Sequence, residues 1–186
     1  VQHMNLLGRG YKLNLLWEFG ALRQNYEIGF TDPWFGNKPM SLGVDLFNTN
    51  RKKQYDTDIY AYSERRQGLA LRLGPRISEY FALSFSYSYE QVSIGEITRE
   101  ELKDILKPIP LVSSFTSGIV YDTRDNIFDP SHGTKDTFSI QLAGGPLRGD
   151  SHFIKPYFTT AWFFPSFWKF VLSLSAKGGM IKELSD

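Results

Sequence analysis

The densest run of reactive side-chain types is Asp122-Thr123-Arg124-Asp125, followed closely by Asp129 and His132. A carboxylate near a histidine has the makings of a general acid–base pair. A plainer reading competes with it. Asp129-Pro130-Ser131-His132-Gly133 is rich in the residues that serve the backbone in a tight turn. Asp122 and Arg124 are two positions apart, so an extended strand puts them on one face, where they can pair as opposite charges. The histidines His3, His132 and His152 show no metal-ligand spacing to one another. With no cysteine, disulfides, thiolate metal sites and cysteine nucleophiles are excluded. There is no Gly-x-Ser-x-Gly elbow and no phosphate-cradling glycine loop, and Gly8-Arg9-Gly10 is short enough to be a turn. No metal, no cofactor and no catalytic residue is therefore expected, and the chain does not read as an enzyme.

The elements that must carry these residues are strands. Period-two alternation runs through most of the chain. Tyr11, Leu13, Leu15, Trp17 and Phe19 alternate with Lys12, Asn14 and Glu18; Tyr26, Ile28 and Phe30 follow with Asn25, Glu27 and Gly29 between them. Met40 to Leu46 and a segment ending Leu69 to Leu73 repeat the pattern, and Phe81 to Glu90 shows it most cleanly. Further strands are expected near Phe115–Arg124, Thr137–Ala143, Ile154–Phe164 and Phe170–Lys177, giving about nine. Short connections with proline (Thr31–Pro39, Gly74–Tyr80, Asp125–Gly133, Pro165–Lys169) alternate with long charged ones at Asn48–Gln67 and Gln91–Ser114. Ala21–Asn25 is a short exception on the long side. One helical signal stands apart. Thr98 to Glu101 forms a capping box, Leu102, Ile105 and Leu106 give an apolar stripe, and Pro108 stops it. It predicts a short helix lying in an outer loop.

Composition narrows the class. The 186 residues carry a formal net charge of +1, which gives no support to nucleic-acid binding. Aromatics reach 16%, and no stretch approaches the roughly 18 apolar residues of a membrane helix. A membrane β-barrel escapes that test because its strands alternate. The polar sets are Gly, Ser, Asn and single charges, suited to a barrel lumen, while the apolar sets end in Tyr11, Trp17, Tyr87 and Tyr89, suited to interface girdles. The expected fold is all-β: an antiparallel outer-membrane-type barrel, with a soluble lipocalin-like barrel as the competitor. Arg51-Lys52-Lys53 and Arg65-Arg66 then suit either lipopolysaccharide phosphates or an ordinary solvated loop.

Three stretches carry a resemblance. Tyr121-Asp122-Thr123-Arg124-Asp125-Asn126-Ile127-Phe128-Asp129-Pro130-Ser131-His132-Gly133 is similar to the strand-then-turn motif of the Omp85 superfamily, an Asp/Arg-rich strand end, an aromatic and Pro-x-x-Gly. Asn5-Leu6-Leu7-Gly8-Arg9-Gly10 matches that family's Asn-x-x-Gly-x-Gly turn, and Thr31-Asp32-Pro33-Trp34-Phe35 its Thr-(Asp/Asn)-Pro-aromatic-Phe turn. The resemblance marks Asn5, Gly8, Gly10, Thr31, Asp32, Pro33, Phe35, Asp122, Arg124, Asp125, Pro130 and Gly133 as family-motif positions.

It implies strands three to eleven of a sixteen-stranded barrel, with Val1-Gln2-His3 as the tail of the second. The whole of residues 1–186 would be a partial barrel domain, without the family's periplasmic transport-associated domains, first strand, Val-Arg-Gly-Phe loop and last five strands. At about 21 residues per strand, sixteen strands need roughly 330 residues, so the length agrees with a part. The implied activity is insertion and folding of outer-membrane β-barrels in the bacterial outer membrane without nucleotide hydrolysis. The implied partners are unfolded outer-membrane protein clients, accessory assembly lipoproteins and outer-membrane lipid. A secretion or translocation transporter of the same superfamily, or a passive porin-like or enzymatic barrel, are the alternatives.

Overall fold

The computed structural model describes residues 2–56, 59–95, 97 and 111–184. It is a single antiparallel sheet of β1 (Gln2–Leu6), β2 (Tyr11–Phe19), β3 (Arg23–Asp32), β4 (Met40–Asp56), β5 (Ile59–Pro75), β6 (Phe81–Gly95), β7 (Leu111–Asp122), β8 (Gly133–Ala143), β9 (Phe153–Pro165), β10 (Val171–Gly179) and β11 (Lys182–Glu183). Strands β1 to β10 pair in chain order, each with the next. The sheet stays open, since β1 and β10 do not pair with each other. Short 3-10 turns at Phe35–Asn37 and Gly145–Leu147 are the helical elements among the described residues.

The nine strands expected from alternation are β2 to β10, and β1 occupies the N-terminal residues read as the tail of a preceding strand. Strand β11 was not expected. It continues the β10–β9 ladder in the same register, Gly179 opposite Tyr157 and Lys182 opposite Ile154. The interruption falls opposite Pro156, whose carbonyl accepts from Met180 N–H but which has no N–H to return.

The connection expected over Asn48–Gln67 is mostly ladder instead. Asn48 pairs with Gln67, Thr49 with Arg66 and Lys52 with Ser63, out to Asp56 and Ile59. Pairing needs backbone and a tolerant side-chain pattern, not apolar residues, so charges extend the hairpin rather than end it. Likewise β6 runs to Gly95 and β7 starts at Leu111, which shortens the second long connection. The capping box and apolar stripe at 98–108 lie outside the described residues.

Register sorts the side chains into two faces. One row reads Leu13, Phe30, Val44, Leu71, Tyr87, Phe115, Leu142 and Ile154 across eight strands. The neighbouring row reads Asn14, Gly29, Asp45, Ala70, Ser88, Ser114 and Ala143. Among the described residues Ala143 is the one buried apolar side chain, while Trp17, Ile28, Leu46, Leu71, Ile119, Phe158 and Trp162 stand exposed on the apolar face. A wall with its large apolar side chains turned outward and small or charged ones on the other face is the construction of a barrel that lipid surrounds. The soluble-carrier alternative requires the reverse, an apolar interior.

Candidate functional site

The polar face holds two built features, a buttressed ion pair in mid-wall and a cross-braced turn after β7. In mid-wall, Arg72 of β5 pairs with Asp45 of β4, Nη2 lying 2.8 Å from Oδ1, and also reaches Thr31 Oγ1 of β3 at 3.4 Å. The partners sit one row off register, Arg72 opposite Gly43 and Asp45 opposite Gly29. Glycine at both places is what makes room. A Cβ on Gly29 would lie 2.7 Å from Asp45 Oδ1, and one on Gly43 would lie 3.0 Å from Arg72 Nη2. The hollow beside this pair, about 500 Å³, is lined by Lys12, Asn14, Glu27, Thr31 and the pair itself. Alternation puts Asp45 and Arg72 in the polar sets of their strands without joining them, because a diagonal contact depends on register that alternation does not give.

The Asp122–Gly133 motif folds into the second feature. Arg124 grips Asp122 with both prongs, Nε to Oδ1 at 2.8 Å and Nη2 to Oδ2 at 2.8 Å, and donates from Nη1 to the carbonyl of Ile127 at 3.1 Å. Its side chain is only 11% exposed. Asp125 accepts from the backbone N–H groups of Ser131 (2.9 Å) and His132 (3.2 Å) and from the Ser131 hydroxyl. These bonds, that of the Ser131 hydroxyl foremost, hold the Asp125 carboxyl well below the usual carboxylate range. The hydrogen bonds to Asp122 likewise keep the Arg124 guanidinium firmly protonated. Asn126 Oδ1 accepts from Phe128 N–H at 2.9 Å, and Thr123 pairs with Thr134 to close the base. Gly133 has φ +106°, and a Cβ there would lie 2.4 Å from the carbonyl oxygen of Thr123, so no other residue fits.

This bonding changes the partners of the carboxylate–histidine pair that the sequence offers. The carboxylate beside His132 is Asp125, at 3.4 Å from Nδ1, rather than Asp129, and the Ser131 hydroxyl is bonded to that same carboxylate. The same histidine nitrogen meets both groups, and the cluster closes a turn. No cluster of three or more His, Asp or Glu side chains suited to a metal occurs among the described residues.

The other two motifs form neighbouring turns. Asn5 Oδ1 accepts from Gly10 N–H at 2.7 Å, and Gly8 and Gly10 take φ +69° and +73°. Asp32 Oδ1 accepts from Trp34 N–H at 2.9 Å, starting the turn that carries Pro33 and an exposed Phe35. The two turns adjoin, for a Cβ on Gly10 would lie 3.7 Å from the Pro33 ring. The Asp122 turn lies at the same end of the sheet but four strands along, beyond β3, so the three motifs do not form one cluster. Pro130 sits within the Asp122 turn.

The basic residues of β4 and β5 divide between faces. Arg66 meets Glu64 and lies 3.9 Å from Glu90 on the polar face, while Arg65 donates to Asn48 Oδ1 at 3.2 Å on the apolar side.

An open antiparallel wall with these turns at one end can be compared with known proteins. The Omp85 superfamily domain matches residues 5–186. The chain belongs to the Omp85 superfamily. It is 26% identical to the outer membrane protein assembly factor BamA of Nitratidesulfovibrio vulgaris over 84% of its length and 19% of the relative's. To BamA of Neisseria meningitidis it is 24% identical over 97% of its length and 24% of the relative's. The sorting and assembly machinery component 50 homolog of Xenopus tropicalis is 26% identical over 98% of this chain and 38% of that one. A crystal structure of Haemophilus ducreyi BamA lacking POTRA domains 1–3 superposes with TM-score 0.78 at 17% identity, covering 98% of this chain and 37% of the other. The fold is thus that of an Omp85 outer-membrane barrel wall, and the chain spans between about a fifth and two fifths of these relatives' lengths.

Proposed function

We propose that this chain is the central barrel wall of an assembly factor that inserts and folds β-barrel proteins into a bacterial outer membrane. The observation that carries the proposal is the Omp85 match over residues 5–186 on a sheet whose apolar face is turned outward. In this reading the segment is a partial barrel domain, residues 1–186, within a longer protein. Its clients are unfolded outer-membrane proteins, its helpers are accessory lipoproteins, and its surroundings are outer-membrane lipid. The chemistry is strand pairing and lipid burial, with no covalent step.

The wall's part follows from its two built features. The Arg72–Asp45–Thr31 contacts tie β3, β4 and β5 together on the polar face. The Asp122–Arg124 clamp fixes the end of β7 and offers a polar surface to a loop folded into the lumen. The full-length protein, reconstituted in liposomes, is expected to speed the folding of an unfolded client barrel, read as heat-modifiable gel migration. Client folding no faster than in protein-free liposomes overturns the proposal. Charge reversal by Arg124→Glu is expected to slow client assembly, with Arg124→Lys falling between. Normal assembly and normal barrel stability in Arg124→Glu would sink the role given to the clamp.

A further inference from the structure

The connection between β8 and β9 folds back over the wall instead of standing away from it. Ser113 belongs to the outward side of β7, two positions from Phe115, yet it is fully buried. A Cβ on Gly149 would lie 3.4 Å from the Ser113 Cβ, so the turn covers that side of the sheet. Both neighbouring strands hold it there. Gly144 N–H donates to the Ser113 carbonyl at 3.1 Å and Asp150 N–H to the Leu111 carbonyl at 2.8 Å. From the other side, His152 Nδ1 accepts from Gly145 N–H at 3.3 Å. Gly144, Gly145, Arg148 and Gly149 all take positive φ, and a Cβ on Gly144 would lie 2.4 Å from the Ser151 carbonyl oxygen. Such a path admits few sequences, and it is built rather than slack.

Against this turn lies a hollow of about 540 Å³, lined by Phe115, Leu142, Pro146, Leu147, His152 and Leu184. Its size falls within the roughly 300–1,000 Å³ of small-molecule sites. Three observations say what fits it. First, among the described residues its lining has no charged side chain, and Nδ1 of His152 is already engaged by the turn. A charged group would find no partner there, whereas an apolar one loses nothing by entering. Second, its strand walls are all on the outward side. Phe115 faces Leu142 across the β7–β8 ladder, and Leu142 and Lys182 both face Ile154. Two positions further along, Leu184 N–H donates to the His152 carbonyl at 3.0 Å. Third, the depth is right. Strand β8 has 11 residues, about the length that crosses a bilayer at a tilt, and Leu142 is its last outward residue. The hollow therefore opens at the edge of the hydrocarbon, in the leaflet away from the motif turns.

We infer that this hollow is a seat for one acyl chain of a membrane lipid, distinct from the lipid that surrounds the rest of the wall. The inference rests on the outer-membrane reading proposed above. A side chain of another protein would have to reach the hollow through that lipid.

The test uses the intact full-length protein in nanodiscs of phosphatidylethanolamine and phosphatidylglycerol, doped with a phosphatidylcholine that carries a diazirine at one acyl terminus. After irradiation, cross-links are mapped by peptide mass spectrometry. The expected result is an excess over residues 142–152 and at 184 of about tenfold relative to the outward positions Leu46 and Phe158, the advantage of roughly two further buried methylene groups. Leu142→Trp, which fills the hollow, is expected to abolish the excess, and Leu46→Trp to leave it unchanged. Even labelling of all outward positions overturns the seat and leaves the membrane reading standing. An excess that Leu142→Trp does not reduce places the chain elsewhere and also overturns it. Labelling at Leu46 and Phe158 with none around the hollow shows that protein fills it, which overturns the seat as well. Absence of labelling at Leu46 and Phe158 overturns the membrane reading and the seat together. Heat-modifiable migration confirms that each variant is folded, and the map of the unsubstituted protein needs no variant at all.

Discussion

Arg124 does its work by geometry more than by charge. Its two prongs meet both oxygens of Asp122 while the third nitrogen holds the Ile127 carbonyl, so a point-charge ammonium cannot replace it. Arg124→Lys is expected to lower barrel stability by about 1–2 kcal/mol, read as a lower urea midpoint in lipid vesicles. An unchanged midpoint would show that the clamp adds nothing. Asp125, whose carboxyl is held below its usual range, supports the turn in the opposite sense to a titrating histidine. Its contribution is full above the ordinary carboxylate value near 3.8 and is lost as pH falls through the lower folded value. The turn amides of Ser131 and His132 are therefore expected to keep their NMR shifts from pH 7 to about pH 4 and to move only in stronger acid. Movement between pH 7 and 5 would count against Asp125 as the group that holds the turn.

At the scale of elements, β4 and β5 stand out, with 17 residues each against the 9–11 that cross a bilayer at a tilt of about 45°. Their pairing through Lys52 and Ser63 carries the hairpin well past the hydrocarbon at the end opposite the motif turns. Lys52→Cys in intact cells is expected to react with a membrane-impermeant maleimide and Val44→Cys to stay unlabelled; equal labelling would place the hairpin differently. This extension was not legible in the sequence, while the strands below it were. Within the bilayer, lipid selects an apolar residue at every second position, so Leu42, Val44 and Leu46 announce a strand. Above it, both faces are polar, and Asn48 to Lys53 reads as a loop although the ladder continues. Strand β11 was hidden for a different reason, since Pro156 breaks the ladder in the partner strand. The turn motifs were legible because their chemistry is local: Asn5, Asp32 and Asp125 each bond to backbone a few residues away. The Arg72–Asp45 pair was not, because it joins residues 27 apart through register. Gly29→Val tests the room that pair needs. It is expected to push Asp45 off Arg72 and cost about 1–3 kcal/mol, an overpacking penalty that Asp45→Ala in the same chain should partly relieve.

At the scale of the whole sheet, the decisive property is that its large apolar rows stand exposed on one face, with Ala143 the one buried apolar side chain among the described residues. A soluble barrel of this size gains its stability from side chains such as Phe30, Leu71 and Phe115 buried inside; here the same row faces outward. The hydrophobic term then comes from lipid, and the pairing of each strand from β1 to β10 with the next is what lipid enforces, because an unpaired amide in hydrocarbon costs several kcal/mol. Solubility should therefore depend on an amphiphile at all pH values and salt concentrations. The full-length protein is expected to run as a single species by size exclusion in detergent or nanodiscs and to aggregate once both are removed. A monodisperse, folded protein in detergent-free buffer would mean that the outward rows are covered from within the molecule. That outcome would restore the soluble-barrel alternative that the face assignment set aside.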